Sequence, residues 1–151
     1  MMVVIADTSP INYLVLINEI EVLSRLYGHI VIPQEVAVEL TDSGAPAAVR
    51  VWMEQRPKWI EIRSAPIPDL GLMELDAGEA TAISLAEAET DVLLLIDETA
   101  GRLEASRRGI PNTGTLGVLR RAAIEGLIDL PRRLTAFAPQ IFGYSGHSWR
   151  N

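Results

Sequence analysis

The sequence predicts an α/β fold in which a central parallel sheet carries helices on both of its faces. Residues 3–6 and 92–96 form two short, wholly apolar segments, which is the composition of strands buried on both sides. Segments with helical spacing alternate with these strands and with two further strand-like segments. Because strands that alternate with helices usually lie parallel, helices should cover both faces of the sheet.

The first half of the chain contains the signals for two strands and four helices. Pro10 suits the first position of a helix, with Ser9 before it as the cap. Pro33 ends the second apolar strand, at residues 29–33, and Pro46 starts a further helix after a break in the chain. Helices are therefore predicted over residues 10–18, 21–27, 34–40 and 46–55.

The second half predicts two strands, several helices and one long loop. The alternating segment 59–63 suits a strand at the edge of the sheet, and the prolines and glycine in residues 65–71 indicate a loop. From Pro131 we expect one more helix and then a loose tail over about residues 143–151. The other helices are predicted over residues 75–89, 98–108 and 115–125.

Composition indicates one domain, residues 1–151, in the cytoplasm. Hydrophobic residues make up 48% of the chain and charged residues 22%, which is ordinary for a globular protein. The sequence has no cysteine, so disulfides and thiolate metal sites are excluded and a reducing compartment is expected. No signal peptide is visible, and the longest aliphatic run is too short to cross a bilayer.

The charge balance gives no sign of a broad nucleic-acid-binding face. The net charge is −7, from 20 acidic and 13 basic residues. A carboxylate cluster that binds divalent cations would nevertheless reverse its local charge. Arginine pairs such as Arg107-Arg108 are more typical of solvated helix faces than of a phosphate-binding rim.

Aspartates follow both of the apolar strands. Asp7 comes directly after residues 3–6, and Asp97 comes directly after residues 92–96. If the strands are neighbours, the two carboxylates should lie about 5–8 Å apart at the edge where ligands bind to open parallel sheets. Each aspartate could also cap the helix that follows it, but the pair together favours a shared site over capping alone.

Two glutamates are further candidates, and periodicity leaves each of them open. Glu39 and Glu35 lie one turn apart on the same helix, so their spacing cannot choose between them. Asp76 and Glu79 stand three residues apart at a helix start, which suits an acidic variant of the capping box. For Glu79, capping is the favoured interpretation from spacing alone.

The segment I-P-N-T-G-T-L-G leads into the helix predicted over residues 115–125. Thr113 or Thr115 could cap that helix, and the free N–H groups at a helix start also favour an anion such as phosphate. The segment is neither a P-loop nor a dinucleotide-binding fingerprint. With two histidines and no cysteine in the whole chain, serine–histidine and cysteine–histidine hydrolysis and a zinc site have little support.

Four short motifs in order resemble the PIN-domain family of metal-dependent ribonucleases, and more closely its VapC-like toxin subgroup. They are D-T-S near the N-terminus, V-I-P-Q-E-V-A-V-E-L, G-E-A-T-A-I-S-L-A and L-L-I-D-E, and the resemblance runs from residue 3 to about residue 128. It implies a PIN-like three-layer fold. It also implies that the catalytic metal ligands are Asp7, Glu39, Glu79 and Asp97, which chooses Glu39 over its neighbour.

Some positions depart from that pattern or extend it. In these toxins the third acid is more often an aspartate, whereas in this chain it is a glutamate, Glu79. L-I-D-E replaces the usual T-x-D, which adds the carboxylate of Glu98 without an assigned role. Ser9 matches a hydroxyl that commonly follows the first aspartate. Thr115 lies in a G-T-L-G segment similar to one in the subgroup, and Thr113 directly precedes that segment, so both threonines are second-rank candidates.

The resemblance implies a Mg²⁺- or Mn²⁺-dependent endoribonuclease, the toxin of a toxin–antitoxin pair. Both ions prefer oxygen ligands and can activate a water for attack on a phosphodiester. The implied partners are an RNA substrate, an antitoxin whose peptide covers the site, and a second copy in a homodimer, with no membrane. Arg102, Arg107 and Arg108, after the fourth acid, are candidates for holding RNA.

Two other classes of function remain to be compared with this one. A PIN-like domain that no longer cuts could serve as a nucleic-acid or protein binding module. A receiver-type phosphotransfer domain would need paired acids on the first strand and a late lysine. The only lysine is Lys58, which argues strongly against that class.

Overall fold

The structure, a computed structural model, describes residues 1–129. The helix predicted from Pro131 and the tail predicted over residues 143–151 lie outside the described residues. The five strands are β1 Val3–Ala6, β2 Ile30–Pro33, β3 Ile60–Arg63, β4 Val92–Leu95 and β5 Asn112–Thr113. The helices are α1 Thr8–Leu16, α2 Val22–Tyr27, α3 Gln34–Thr41, α4 Ala47–Glu54, α5 Ala77–Glu87, α6 Thr99–Arg107 and α7 Thr115–Ile124, with a 3₁₀ turn at Leu70–Leu72.

All five strands lie in one parallel sheet, in the order β3-β2-β1-β4-β5. The chain builds outward from β1 to β3, then crosses back to place β4 on the other side of β1. This change of direction leaves a crevice between the carboxyl ends of β1 and β4, which is the usual ligand site of such sheets. Strand β3 lies at an edge of the sheet, as its alternating sequence predicted.

Each face of the sheet has its own buried core. In β1 the side chains alternate, so that Val4 and Ala6 join one core while Ile5 joins the other. Helices α1, α2, α3, α4 and α7 cover the first face, and α5 and α6 cover the second. The predicted α/β fold, a parallel sheet between two helical layers, is therefore confirmed. Within residues 1–129, no helix is long and apolar enough to cross a membrane.

The start of α1 differs from the prediction. The helix begins at Thr8 with Asp7 in the N-cap position, so the expectation that Ser9 caps it and Pro10 opens it is wrong. Pro10 instead lies in the third helical position. This is tolerated because the N–H groups of the first turn have no partner within the helix, and the missing N–H of proline costs nothing there.

Strand β5 was not predicted, and β4 is one residue shorter than predicted. Strand β5 contains only Asn112 and Thr113, which pair with Leu94 and Leu95 of β4. A two-residue strand cannot reveal a period in the sequence. Because β4 ends at Leu95, Ile96 separates the strand from Asp97, although its N–H still donates to the carbonyl of Thr113.

The fold predicts that the core under β4 is sensitive to truncation. Leu94 is fully buried in the second core, so Leu94→Ala should lower the free energy of unfolding by about 2–5 kcal/mol. Leu103 is 66% exposed and supplies the control. Leu103→Ala should change the free energy of unfolding by less than about 0.5 kcal/mol. Urea denaturation measures both values. Equal effects of the two substitutions would contradict this assignment of the core.

Candidate functional site

Asp7 lies at the switch-point crevice, where β1 ends. Its side chain is 3% exposed, although it occupies the N-cap position of α1, and it makes no capping hydrogen bond there. Its backbone N–H donates to the carbonyl of Leu95, which fixes the end of β1 against β4. Capping therefore does not explain this buried aspartate, because the cap interaction is absent.

Glu39 of α3 reaches the same crevice. The hydroxyl of Thr8 donates to its Oε2 at 2.8 Å, which orients the carboxylate towards the end of β1. Its Oε1 and Oδ1 of Asp7 would lie 2.8 and 2.9 Å from a Cβ atom placed on Gly78. Two carboxylates thus face one small space that only a glycine at the start of α5 leaves open. Glu35 has no corresponding contact, since its buried Oε2 has no hydrogen-bond partner among the described residues.

Glu79 lies on α5 next to this pair, but it does not cap the helix. Asp76 is the cap, because its Oδ1 accepts the N–H of Glu79 at 2.8 Å. The Glu79 side chain is 6% exposed, and its Oε2 would lie 2.8 Å from a Cβ on Gly101 of α6. The capping that the spacing of Asp76 and Glu79 suggested is therefore present with Asp76 as the cap, whereas the carboxyl group of Glu79 is buried against α6.

Asp97 is fixed by the start of α7. Its Oδ1 accepts the backbone N–H of Thr115 at 2.6 Å, and its Oδ2 accepts the hydroxyl of Thr115 at 2.6 Å. Asp97 thus caps a helix, but not α6, which directly follows it and has Glu98 at its N-cap without a side-chain hydrogen bond. The N–H expected to favour a phosphate is occupied by this carboxylate. Gly114 permits the approach, since a Cβ there would lie 2.7 Å from Oδ1.

Burial and crowding of like charges perturb two of the carboxyl groups. Desolvation raises the pKa of Asp7 to about 7, with smaller contributions from the charges of Asp76 and Glu39 and partial opposition from the N–H of Thr8. Desolvation also raises the pKa of Glu79 to about 8, together with its hydrogen bond to Asp76 and the nearby negative charges. The crevice therefore disfavours full ionisation in the absence of a cation.

The donor set suits a hard divalent cation. In residues 1–129 no three carboxylate or imidazole side chains are arranged to hold one metal ion together. Mg²⁺ commonly needs only one or two protein carboxylates, with water and substrate phosphate completing its coordination. The oxygens of Asp7 and Glu39 that face the space beside Gly78 meet that requirement, and their mutual repulsion would be relieved by a cation.

Two residues around the crevice do not emerge from the sequence. They are Thr8, which holds Glu39, and Tyr13, whose pKa is raised by burial and by the charges of Asp97 and Glu98. Thr8 stands beside a candidate acid in the sequence, but its contact with Glu39 does not follow from spacing alone.

The second-rank hydroxyls differ in their placement. Thr115 is buried and contacts Asp97 directly, whereas Thr113 points its hydroxyl towards Gly117 within the same segment. Ser9 lies in the first turn of α1, and its hydroxyl makes no hydrogen bond within the described part of the chain. Of these three residues, Thr115 is the one that the structure joins to an acidic side chain.

The three candidate arginines also differ. Arg108 is enclosed by carboxylates of Asp69, Glu87 and Glu104, with nitrogen–oxygen distances of 2.7 Å, and its side chain is only 10% exposed. Arg107 pairs with Glu104 as well. Arg108 therefore ties the end of α6 to α5 and to the loop before α5, and both arginines also pair with Glu104 of α6. Both already have carboxylate partners, so the geometry does not favour them as phosphate ligands.

Arg102 is different, because it carries no ion pair within residues 1–129. Its Nε donates to Oδ1 of Asn112 at 3.2 Å, and its Nη1 would lie 3.5 Å from a Cβ on Gly114. Gly114 also borders Asp97, so the guanidinium group stands at the margin of the acidic crevice. Of the three candidate arginines, Arg102 is the one placed beside the carboxylates.

The fold and the crevice together define a class: a parallel α/β domain with buried carboxylates gathered at the switch point of its sheet. The sequence model of a PIN-domain family matches residues 3–137, and the chain therefore belongs to the PIN-domain family. PIN domains are generally nucleases, and those nucleases generally use divalent metals. No curated protein matched the chain in the comparison made with it.

The perturbed pKa of Asp7 predicts a change in stability with pH. Because its folded pKa of about 7 exceeds its usual value of 3.8, the folded state binds the proton more tightly, and stability from this group falls as pH rises between these values. Asp7→Asn has no carboxyl group to ionise, so the variant should not lose this stability as the pH rises. In EDTA at about pH 8, the variant should be more stable than the wild type by roughly 2–4 kcal/mol, with little difference near pH 4.

Denaturant unfolding across this pH range measures the difference. Asp91 is exposed, so Asp91→Asn supplies a matched loss of one carboxylate and should leave the pH dependence of the wild type unchanged. An Asp7→Asn curve parallel to that of the wild type at every pH would show that Asp7 ionises normally.

Proposed function

We propose that this chain is a divalent-metal-dependent endoribonuclease that cleaves RNA phosphodiesters with a metal-activated water. The observation that carries the proposal is the pairing of Asp7 and Glu39 across one small space beside Gly78. Glu79 and Asp97 lie around the same crevice and complete the set of four acids. Membership of the PIN-domain family supports the nuclease activity, and the sequence resemblance supports RNA as the substrate.

The residues of the chain would divide the work between binding and positioning. Asp7 and Glu39 would hold Mg²⁺ or Mn²⁺, and the carboxylates of Glu79 and Asp97 would add negative charge around the same crevice. A cation bound there would supply an activated water and stabilise the leaving oxygen. Thr8 fixes the rotamer of Glu39 through its hydroxyl. No histidine is needed for this chemistry.

Thr115 would serve as the positioning residue for Asp97. The N–H of Thr115 donates to Oδ1 of Asp97, and the hydroxyl of Thr115 donates to Oδ2. Each carboxylate oxygen therefore keeps a further lone pair that Thr115 does not use. The two hydrogen bonds therefore hold the carboxyl group of Asp97 in one orientation at the margin of the crevice.

We further propose the VapC-like toxin role, with an antitoxin as protein partner and a homodimer as the assembly. These features rest on the sequence resemblance, in which four acidic motifs recur in the same order. A short reading frame for a DNA-binding antitoxin directly upstream would support the toxin role. Rescue of cell growth by co-expressing that frame would test it, and growth inhibition that the frame leaves unchanged would contradict it.

A binding module that does not cut is the second candidate function. The observation in its favour is that no three acidic side chains of residues 1–129 converge on one point, and that both oxygens of Asp97 are already hydrogen-bonded. In that case the crevice would bind nucleic acid or protein without hydrolysis. Metal-dependent cleavage of RNA separates the two candidates directly.

Cleavage of a labelled single-stranded RNA tests the proposed function. The wild type should cut it with Mg²⁺ or Mn²⁺ and not in EDTA. Asp7→Asn and Asp97→Asn should each reduce the rate on the order of 100-fold or more, because each removes a carboxylate charge that attracts the cation needed for cleavage. Gel analysis of the products measures the rate. Metal-dependent cutting that survives both substitutions would rule out the four-acid site.

The two glutamates of α3 provide a matched control for this experiment. Glu39→Gln and Glu35→Gln remove the same charge from the same helix, one turn apart. Only the first faces Asp7 and Thr8, so only the first should reduce cleavage. Equal losses from both variants would mean that the charge of α3 matters rather than the position of Glu39.

A further inference from the structure

Arg102 is held in place by a neutral side chain, which leaves most of its hydrogen-bonding capacity free. Asn112 accepts from its Nε, and the Asn112 amide is itself fixed, since it donates to Oγ of Ser106 and to the carbonyl of Ile110, both at 3.0 Å. The two terminal NH₂ groups of Arg102 have no hydrogen-bond partner among the described residues. A guanidinium fixed at its Nε and open at its end is suited to bind a phosphate with two parallel hydrogen bonds.

Arg102 has no carboxylate partner among the described residues, although it lies beside the acidic crevice. In a protein of net charge −7, ion pairs form at Arg63, Arg107, Arg108 and Arg121. Asp97 and Arg102 both border Gly114, yet the oxygens of Asp97 are hydrogen-bonded to Thr115 rather than to the guanidinium group. A hydrogen-bond acceptor bound between Arg102 and the acidic crevice would therefore contact a guanidinium group that has no carboxylate partner.

A pocket of about 310 Å³ lies beside Arg102, and its volume is at the low end for small-ligand sites. Leu103 contributes an apolar surface that is 66% exposed. One unstacked base can lie against such a surface, whereas a paired base in a duplex presents only its edge. The lining residues are Asp97, Thr99, Arg102, Leu103, Ser106 and Asn112.

We infer that this pocket binds one nucleotide of a single-stranded RNA, next to the bond that is cut. Arg102 contacts the phosphate of that nucleotide, Asn112 positions Arg102, and Leu103 packs against the base. The inference rests on the proposed function, since it names a subsite for the same substrate.

The salt dependence of RNA binding tests the contact with phosphate. Each phosphate contact on a single strand contributes about −0.7 to the slope of log K against log salt. Arg102→Gln should therefore weaken binding of a fluorescent single-stranded decaribonucleotide about 5- to 10-fold and make the slope shallower by about 0.7. Fluorescence anisotropy in EDTA measures both values without cleavage. An unchanged affinity and slope would overturn the inference.

Arg25 supplies the matched arginine control. It is exposed in the last turn of α2, just before the amino end of β2, and so lies at the edge of the sheet opposite to the crevice. Arg25→Gln removes the same charge and should leave the slope unchanged. An equal reduction by Arg25→Gln would mean that the net charge alone governs binding, and would also overturn the inference.

Two further variants separate charge, positioning and base packing. Arg102→Lys keeps the charge but lacks the forked donors, so it should retain the slope of the wild type while binding about 3-fold more weakly. Leu103→Ala should weaken binding about 3-fold without a change of slope, because it removes only apolar contact. A shallower slope for Leu103→Ala would contradict the assigned role of that residue.

Duplex RNA provides the last comparison. The same decaribonucleotide annealed to its complement should bind at least about 10-fold more weakly than the single strand, because a base must be unstacked to enter the pocket. Equal binding of the duplex would overturn the inference. If the wild type cuts RNA while Arg102→Gln binds it normally, the inference fails and the proposed function stands. If the wild type neither binds nor cuts RNA, both fail.

Discussion

Burial of carboxyl groups beside one another is the constraint on which the candidate site depends. The sheet brings Asp7 to the end of a central strand, and α3 and α5 bring Glu39 and Glu79 against it. The cost appears as raised pKa values for Asp7 and Glu79, both of which arise mainly from burial. A fold selected only for stability would place apolar side chains there. Retaining acids in a dry crevice is typical of a functional site.

The backbone around the crevice is built to tolerate these acids. Gly78 and Gly114 stand where any side chain would contact a carboxylate oxygen at less than 3 Å, so the helices can approach closely without displacing the acids. Hydrogen bonds then fix the rotamers, from Thr8 to Glu39 and from Thr115 to Asp97. The arrangement is consequently preorganised before any ligand binds, which reduces the entropy that binding must overcome.

Much of the fold could be predicted from the sequence, because strong local signals agreed with the tertiary structure. Strand β1 has the predicted bounds, since an apolar run ended by a charge leaves little choice. Strand β5 was missed because two residues carry no period. The start of α1 was misplaced because Asp7 and Ser9 are equally good caps by type, and only the end of the sheet decides between them.

The composition of the candidate site was easier to predict than its contacts. An aspartate after each buried strand indicated that two acids meet, because parallel strands share their carboxyl edge. The bond from Asp97 to Thr115 joins residues 18 positions apart, and the bond from Thr8 to Glu39 joins residues 31 apart. Such pairs depend on strand order and helix packing, which no local pattern encodes.

The most direct test is a crystal structure of the wild type grown with Mn²⁺ and measured at a wavelength where manganese scatters anomalously. The account predicts an anomalous peak in the space between Asp7 and Glu39, beside Gly78, within bonding distance of both carboxylates. The same crystals of Asp7→Asn should lack it. A peak elsewhere in the molecule, or none at millimolar Mn²⁺ above the pKa of Asp7, would contradict the claim that this crevice is a metal site.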